Sequence, residues 1–309
     1  MRVLIVGAGA TGGFFGLRLA RAGRDVTFLV RPGRAAALRE RGLRITGVGG
    51  DDRIEPRLVT AAELHSSYDL VVLAVKATAL DQSMDDIAPA VSSYTSILPI
   101  LNGMAHIDLL NARFGKDAVL GGVAYLATSV DDQGDIHVLT PDERLLIGDQ
   151  GAGANFRAER ALETLHGAGF EVGVADDILA EMWSKWVFIA GAGVISCLMR
   201  GAVGDIAAVP GGVELERAAV AEAAAVAAAA AYPVPEEQLA GYTATLTKPG
   251  SPYAPSFYRD MRAGRPIEAE HVFGDLATRA AALAVDTPLL DLALMNMRVY
   301  QHRWANARG

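Results

Sequence analysis

A glycine-rich turn near the start of the chain constrains the fold more than any other feature. It follows an apolar run over residues 2–6 and precedes a stretch of helical periodicity over 13–22. Its first glycine allows a tight turn, its second lets the backbone approach a pyrophosphate, and its third allows close helix packing. The pattern predicts a dinucleotide-binding turn after the first strand of a parallel sheet, an ordinary glycine-rich βα turn being the alternative. The turn consists of Gly7, Ala8, Gly9, Ala10, Thr11 and Gly12.

The periodicity of the chain changes near residue 176. Before it, short apolar runs alternate with helical stretches, which is typical of a parallel sheet covered by helices. After it, almost every segment has the period of a helix. We therefore predict an α/β fold, with a Rossmann-like doubly wound sheet in residues 1–176 and an all-α domain in residues 177–309. A ligand cleft is expected between such domains.

The individual elements follow from the same patterns. Strands are predicted over 2–6, 25–30, 70–75, 96–101, 119–122 and 171–174, with two further, antiparallel strands over 135–138 and 144–147 and a helix over 158–168. Five helices are predicted in the second domain, over 177–199, 213–231, 235–246, 267–284 and 288–304.

Composition excludes several classes of protein. The 309 residues carry 28 basic and 36 acidic side chains, so the net charge of −8 offers no basic excess for a nucleic acid. Cys197 is the single cysteine and suits a reducing compartment. The apolar stretches are too short or too alanine-rich to be predicted as membrane spans. The first residues show no signal-peptide pattern. We expect a soluble cytoplasmic protein and leave open whether it forms a homodimer.

The histidines give no metal-binding pattern. None of the six pairs with another at helical spacing or with a cysteine, so no metal site is expected. His106 is expected to lie in a surface loop.

The residue that follows the second strand indicates which dinucleotide binds. An NAD enzyme usually carries a carboxylate there, which accepts hydrogen bonds from the ribose hydroxyl. This chain has Arg31, with Arg34 three residues later. Because a guanidinium suits a 2′-phosphate, we predict NADP as the cofactor, with a solvated arginine as the alternative interpretation.

Two further strand ends carry polar residues where an open α/β sheet presents its ligand. Lys76 follows the strand over 70–75, and Asn102 follows the strand over 96–101. Both are candidates for the nicotinamide side of the cofactor or for the substrate, the alternatives being a loop charge and an Asn-Gly turn.

Lys185 is the candidate proton donor. A nicotinamide supplies a hydride but no proton, so the reduction of a carbonyl needs a nearby acid. The chain has 28 basic residues of which only four are lysines, and Lys185 lies between Trp183 and Trp186 in an apolar helix. A lysine in a dry pocket can lose its proton near neutral pH, whereas an arginine cannot. A lysine that extends to solvent is the alternative.

Glu268 is the second candidate for the chemistry. It follows Pro266 at a predicted helix start, where a glutamate is favoured by the helix dipole. Two roles therefore remain open for Glu268: it stabilises the helix start, or it binds a hydroxyl of the substrate or of the ribose.

An ordered set of motifs spans nearly the whole chain: the turn over 7–12, Arg31, Val75-Lys76-Ala77, Asn102-Gly103, Trp183-Ser184-Lys185, Ser256, Asp260, Gly264-Arg265-Pro266 and Glu268. This set resembles the ketopantoate reductase (2-dehydropantoate 2-reductase) family. The resemblance implies NADPH-dependent reduction of a 2-oxo acid to a 2-hydroxy acid, as in pantothenate biosynthesis. It further implies that Lys185 donates the proton, that Glu268 binds near the substrate hydroxyl or ribose, and that Ser256 contacts the substrate carboxylate. Lys76, Asn102 and Ala127 would line the nicotinamide end.

The chain departs from the family at three positions. The family carries asparagines one and two helical turns after the lysine, where this chain has Ile189 and Gly193. A third asparagine is replaced by Phe273. Since a site that hydrogen-bonds a hydroxyl discriminates strongly, we hypothesise a 2-oxo acid with a larger and more apolar side group. Oxidation of a hydroxy acid, and NADP binding without turnover, remain open as alternatives.

Overall fold

A parallel sheet forms around the first strand, as the apolar runs predict. The computed structural model describes residues 1–151 and 155–307. The strands are, in chain order, β1 (Arg2–Val6), β2 (Asp25–Leu29), β3 (Leu43–Gly47), β4 (Asp52–Ile54), β5 (Leu58–Val59), β6 (Leu70–Leu73), β7 (Ser96–Pro99), β8 (Leu120–Val130), β9 (Ile136–Asp149) and β10 (Glu171–Val174). The helices between them are α1 (Ala10–Arg21), α2 (Pro32–Arg41), α3 (Leu80–Ile87), α4 (Ala105–Phe114) and α5 (Phe156–Leu165).

The chain divides into two units. The first contains Met1–Leu101 and His106–Ile178, and the second contains Asn102–Ala105 together with the residues from Leu179 onward. The predicted domains were continuous in sequence, so the short segment Asn102–Ala105 is a feature that the prediction did not include.

Five strands of the first unit form one sheet in the order β5-β2-β1-β6-β7, and every neighbouring pair is parallel. All four residues of β6 are buried, as are the last four of β1 and β2. Strands covered on both faces need such continuous apolar runs. The prediction of a doubly wound α/β sheet is confirmed.

A second sheet follows, in the order β10-β9-β3-β4, with β8 paired antiparallel to β9. Residues 136–149 form one long strand rather than the two short strands predicted, because β8 pairs with β9 on both sides of the exposed stretch 139–142. The register shifts between Leu126 and Thr128, which leaves Ala127 at an irregularity of the ladder.

The described residues of the second unit form helices joined by loops, and none of them lies in a strand. Its helices are α6 (Ile178–Met199), α7 (Val203–Ala207), α8 (Gly212–Ala229), α9 (Glu236–Leu246), α10 (Ser256–Arg262), α11 (Asp275–Ala282) and α12 (Pro288–Asn306). A π-helical turn, Glu270–Gly274, leads directly into α11. The prediction of five helices missed α7 and α10, which span only five and seven residues and are too short to show a helical period.

Helix α6 is the central element of this unit. Within the described residues it alone is long and apolar enough to cross a membrane, with a mean hydropathy of 1.4 over its most apolar window. However, 72% of that window is buried inside the protein. A Cβ on Gly191 would lie 2.9 Å from Val220 Cγ2, so α8 packs closely against α6 at this glycine. Its burial is that of a core helix.

Candidate active site

The glycine turn contains two glycines that the fold itself requires. Gly7 has a positive φ of 94°, which disfavours any other residue. A Cβ on Gly12 would lie 2.2 Å from the Gly7 carbonyl oxygen and 2.8 Å from Ala74 Cβ. Both positions are therefore glycine for internal reasons.

Gly9 differs from these two glycines. It precedes α1 with a φ of −94°, and a Cβ placed there would meet no atom within 4 Å. Neither its conformation nor its neighbours in the chain require glycine. The exposed Gly9 backbone is followed by Ala10 and Thr11 in the first turn of α1, which contains no acidic residue. The turn therefore offers an open backbone surface and a positive helix end, the combination that suits a pyrophosphate.

The two arginines after β2 have different environments. Arg34 is half-buried and its Nη2 donates hydrogen bonds to the carbonyls of Ala8 at 3.1 Å and Gly134 at 2.8 Å. Burial lowers the pKa of its guanidinium, while nearby Asp135 opposes that shift. Arg31 is exposed and immediately precedes α2, whose first residue is Pro32. Arg34 thus links the glycine turn to the Gly134 loop through its hydrogen bonds. Arg31 presents its charge to solvent beside the N-terminus of α2.

The remaining cofactor candidates of the first unit lie at strand ends or irregularities. Lys76 is exposed and precedes a short 3₁₀ turn, three residues after β6 ends. Ala127 is half-buried at the irregularity of β8. Such irregularities often stand next to active sites, where they redirect the chain.

Asn102 groups with the second unit. Its neighbour Gly103 has a φ of +80°, and a Cβ there would lie 3.3 Å from the His271 carbonyl oxygen and 3.8 Å from Trp186 Cε2. Burial lowers the pKa of the His271 imidazole, although a hydrogen bond with the Asn102 backbone partly opposes this. The Asn-Gly segment therefore rests on the π-helical turn. Sequence reasoning missed His271, because its contact with the Asn102 backbone joins residues that are far apart in the chain.

Lys185 lies in an apolar part of α6, between two buried tryptophans. Its side chain is half-buried, and burial lowers the pKa of its ammonium from 10.5 to about 8. The flanking Trp183 and Trp186 rings are both buried, with centroids 4.8 Å apart. Trp186 Nε1 donates a hydrogen bond to the Val272 carbonyl at 3.1 Å, which fixes this turn of α6. Lys185 is therefore a half-buried amine on a fixed turn of α6, and burial brings its pKa closer to neutral pH.

Glu268 lies in a segment that is held by one face of α12. Gln301 accepts a hydrogen bond from the Ile267 N–H at 3.2 Å and donates one to the Ile267 carbonyl at 2.8 Å. The Tyr300 hydroxyl donates to the Arg265 carbonyl and Trp304 Nε1 to the Gly264 carbonyl, both at 2.8 Å. These bonds satisfy backbone groups that no helix or strand satisfies. They hold the backbone on which the half-buried Glu268 side chain stands.

The predicted substrate positions differ in accessibility. Ser256 is exposed as the first residue of α10. Ile189 is half-buried one turn after Lys185, and Gly193 is buried one turn further on. The space beside Gly193 is filled by the ring of Phe273.

His106 and Cys197 are both buried. His106 lies buried in α4, so its predicted place in a surface loop is wrong; α4 follows the Asn-Gly turn too closely for the sequence pattern to reveal it. Cys197 is buried, and burial raises the pKa of its thiol to about 12. Residues 1–151 and 155–307 contain no group of three or more His, Cys, Asp or Glu side chains that could hold a metal ion.

Comparisons with known proteins cover both units. The family model described as "Ketopantoate reductase PanE/ApbA" matches residues 3–151, and its C-terminal counterpart matches residues 177–301. The chain is 32% identical to the "Uncharacterized oxidoreductase YkpB" of Bacillus subtilis, over 97% of this chain and 99% of that protein. It is 29% identical to a 2-dehydropantoate 2-reductase of Mesorhizobium japonicum, over 96% and 97% of the two chains.

The fold agrees with these sequence matches. A crystal structure of 2-dehydropantoate 2-reductase from Geobacter metallireducens superposes with a TM-score of 0.87 at 27% identity, covering 97% of this chain and 99% of that one. The two family models together span most of the 309 residues. This chain belongs to the ketopantoate reductase family of oxidoreductases.

Proposed function

We propose that this protein reduces a 2-oxo acid to a 2-hydroxy acid with NADPH, the conversion of 2-dehydropantoate to pantoate being the family's reaction. The observation that carries the proposal is the place of Lys185 on α6, half-buried between the buried rings of Trp183 and Trp186, where burial lowers the pKa of its ammonium to about 8. A general acid works best when its pKa lies near the working pH. In an Arg-rich chain, this lysine stands where an acid is needed and where a guanidinium could not release a proton.

The first unit fits a dinucleotide. Gly9 leaves open the backbone surface that a Cβ would cover, and it lies at the start of α1. We assign the 2′-phosphate to Arg31, and the nicotinamide end to Lys76, Asn102 and Ala127. NADPH supplies the hydride when it is bound.

The chain's own residues then supply the proton and the orientation. Lys185 holds a proton on Nζ and passes it to the oxygen of the substrate carbonyl as that oxygen gains negative charge. Glu268 accepts a hydrogen bond from the resulting hydroxyl or from the ribose, on a backbone held by Gln301. Ser256 donates to the substrate carboxylate. The low dielectric of the apolar surroundings strengthens these polar contacts.

A 2-oxo acid bulkier and more apolar than ketopantoate is the second candidate substrate. Ile189 follows Lys185 by one helical turn, and the buried Phe273 ring occupies the space beside Gly193. These residues offer no hydrogen bond to a substrate hydroxyl. They favour a substrate that carries an alkyl or aryl substituent where ketopantoate carries its hydroxyl group.

The function is tested by following NADPH absorbance with a panel of 2-oxo acids that includes ketopantoate, branched acids and aromatic acids. We expect oxidation of NADPH with one equivalent of 2-hydroxy acid formed for at least one member. Binding of NADPH without oxidation by any member would contradict the proposal.

Replacing Arg31 by alanine should reduce the preference for NADPH over NADH by about 10- to 100-fold, because hydrogen bonds to charged groups contribute about 1.5–3 kcal/mol. The ratio of kcat/KM for the two cofactors measures this. Arg39, which is exposed on the same helix α2, provides the matched control, and Arg39→Ala should leave the ratio unchanged. An unchanged ratio in Arg31→Ala would remove the assignment of the 2′-phosphate to this residue.

A further inference from the structure

Helix α12 carries an exposed apolar stripe. Leu292, Met295 and Val299 are 60%, 58% and 47% exposed, and their spacing of three and four residues places them on one side of the helix. Other large apolar side chains are exposed within residues 1–151 and 155–307, but no other helix or strand there carries more than one of them. Single exposed apolar residues are normal, whereas a group of them on one surface is typical of an interaction site.

The opposite side of α12 packs into the second unit. Leu290 and Met297 are buried there. At the start of the helix, Glu222 accepts hydrogen bonds from the N–H groups of Leu289 and Leu290, each at 3.0 Å. Near its end, Gln301 makes the two backbone hydrogen bonds described above. The helix is thus held at both ends by its inner side, and the apolar stripe is left facing outward.

The charges of α12 are separated along its length. Asp291 lies in the first turn, whereas His302 and Arg303 lie near the C-terminal end, and all three are exposed. Arg298, between them, pairs with Glu270 of its own chain. Two such helices packed in parallel would bring like groups together. An antiparallel pair brings the acidic end of each helix beside the basic end of the other, so α12 is complementary in charge to a second copy of itself.

The stripe also has the symmetry that an antiparallel pair needs. Leu292 and Val299 lie three residues before and four residues after Met295. A two-fold axis directly after Met295 therefore packs Leu292 against the partner's Val299 and brings the two Met295 side chains together. The same axis brings Asp291 to within two residues of the partner's His302, roughly 3 Å along the helix at 1.5 Å per residue. Apolar and charged contacts thus agree on one arrangement.

We infer that this protein forms a two-fold symmetric homodimer through antiparallel packing of α12. The net charge of −8 disfavours a surface of anionic lipids as the occupant of the stripe. The end of α6 extends the interface, because Met199 is 47% exposed there and the next residue, Arg200, donates a hydrogen bond to Asn296 of α12 at 3.3 Å. Standard interfaces bury about 800 Å² per partner, and this one rests mainly on one helix, so we expect a dissociation constant in the micromolar range.

Sedimentation velocity of the full chain, from about 1 to 200 µM, tests the inference. The wild-type protein should change from monomer to dimer within this range. Met295→Glu should raise the dissociation constant by about 100-fold or more, because two carboxylates would then lie together at the two-fold axis. Met295 is 58% exposed, so the variant should keep the wild-type circular dichroism spectrum. A wild-type protein that stays monomeric throughout would overturn the inference.

A matched control locates the interface. Leu109 is 43% exposed on α4 in the first unit, and Leu109→Glu should dimerise like the wild type. If Met295→Glu dimerises as well as Leu109→Glu, the dimer uses another surface and the assignment of the interface to α12 is wrong.

A charge exchange tests the antiparallel arrangement. Asp291→Arg and His302→Asp should each weaken the dimer by about 2- to 5-fold, since each places like charges beside each other across the interface. The two substitutions together in one chain should restore the wild-type dissociation constant, because the pair is then formed with its charges reversed. A double variant that is weaker than both single variants would contradict this arrangement.

Discussion

Replacing Lys185 by alanine is expected to lower kcat for 2-oxo acid reduction by about 10²–10⁴-fold, the range that a positioned general acid contributes. Burial lowers the pKa of Lys185 to about 8, so the ammonium is poised to release its proton during the reaction. Steady-state NADPH oxidation measures the effect, and the dissociation constant of NADPH should change little, since the cofactor contacts are assigned to other residues.

Two lysine variants make this result specific. Lys185→Arg keeps a positive charge but cannot release a proton near neutral pH, so it should not restore activity. Lys248 is exposed at the C-terminal side of α9, and Lys248→Ala should have wild-type activity. Full activity in Lys185→Arg would mean that the side chain contributes charge alone, and the assignment of the proton to Lys185 would be wrong.

Replacing Gly9 by alanine is expected to weaken NADPH binding by about 10- to 100-fold, since crowding a closely packed contact costs about 1–3 kcal/mol. The protein itself has room for this Cβ, because no atom lies within 4 Å of it. Thermal stability should therefore stay at the wild-type value while the dissociation constant rises. Fluorescence titration with NADPH and a melting curve measure the two quantities.

Two other glycines serve as controls for this separation of binding from stability. Gly12→Ala places a Cβ 2.2 Å from the Gly7 carbonyl oxygen, so it should lower the melting temperature as well as binding. Gly241 is exposed in α9, and a Cβ added there would have no atom within 4 Å. Gly241→Ala should therefore lower neither the melting temperature nor the affinity for NADPH. Undiminished NADPH affinity in Gly9→Ala would contradict the cofactor site.

The local patterns of the sequence were sufficient for four of the five strands of the parallel sheet and for the candidate residues of α6. Continuous apolar runs predict β1, β2 and β6 because strands covered on both faces are largely apolar. The placement of Lys185 on a buried helix follows from the apolar residues around it. Short elements carry too few residues for a period, and for this reason β4, β5 and α7 were missed.

The features that the sequence could not reveal depend on contacts between distant segments. Gln301 holds the Ile267 backbone from 34 residues away, and Trp186 reaches Val272 across 86 residues. Gly193 and Phe273 looked like two separate losses of a polar group. The structure shows one complementary pair, because the ring lies where a Cβ on Gly193 would be. Such pairings depend on how helices pack, which local propensity does not determine.

The pH dependence of kcat/KM for the 2-oxo acid, measured at saturating NADPH, tests the central claim most directly. Reduction needs Lys185 in its protonated form, and burial lowers its pKa to about 8. The rate should therefore be constant on the acidic side of this value and fall as pH rises through about 8, approaching tenfold per pH unit. Lys185→Ala should lose this alkaline limb along with most of its activity. A wild-type profile that stays flat through this region, or the same limb in Lys185→Ala, would contradict the role of Lys185 as proton donor.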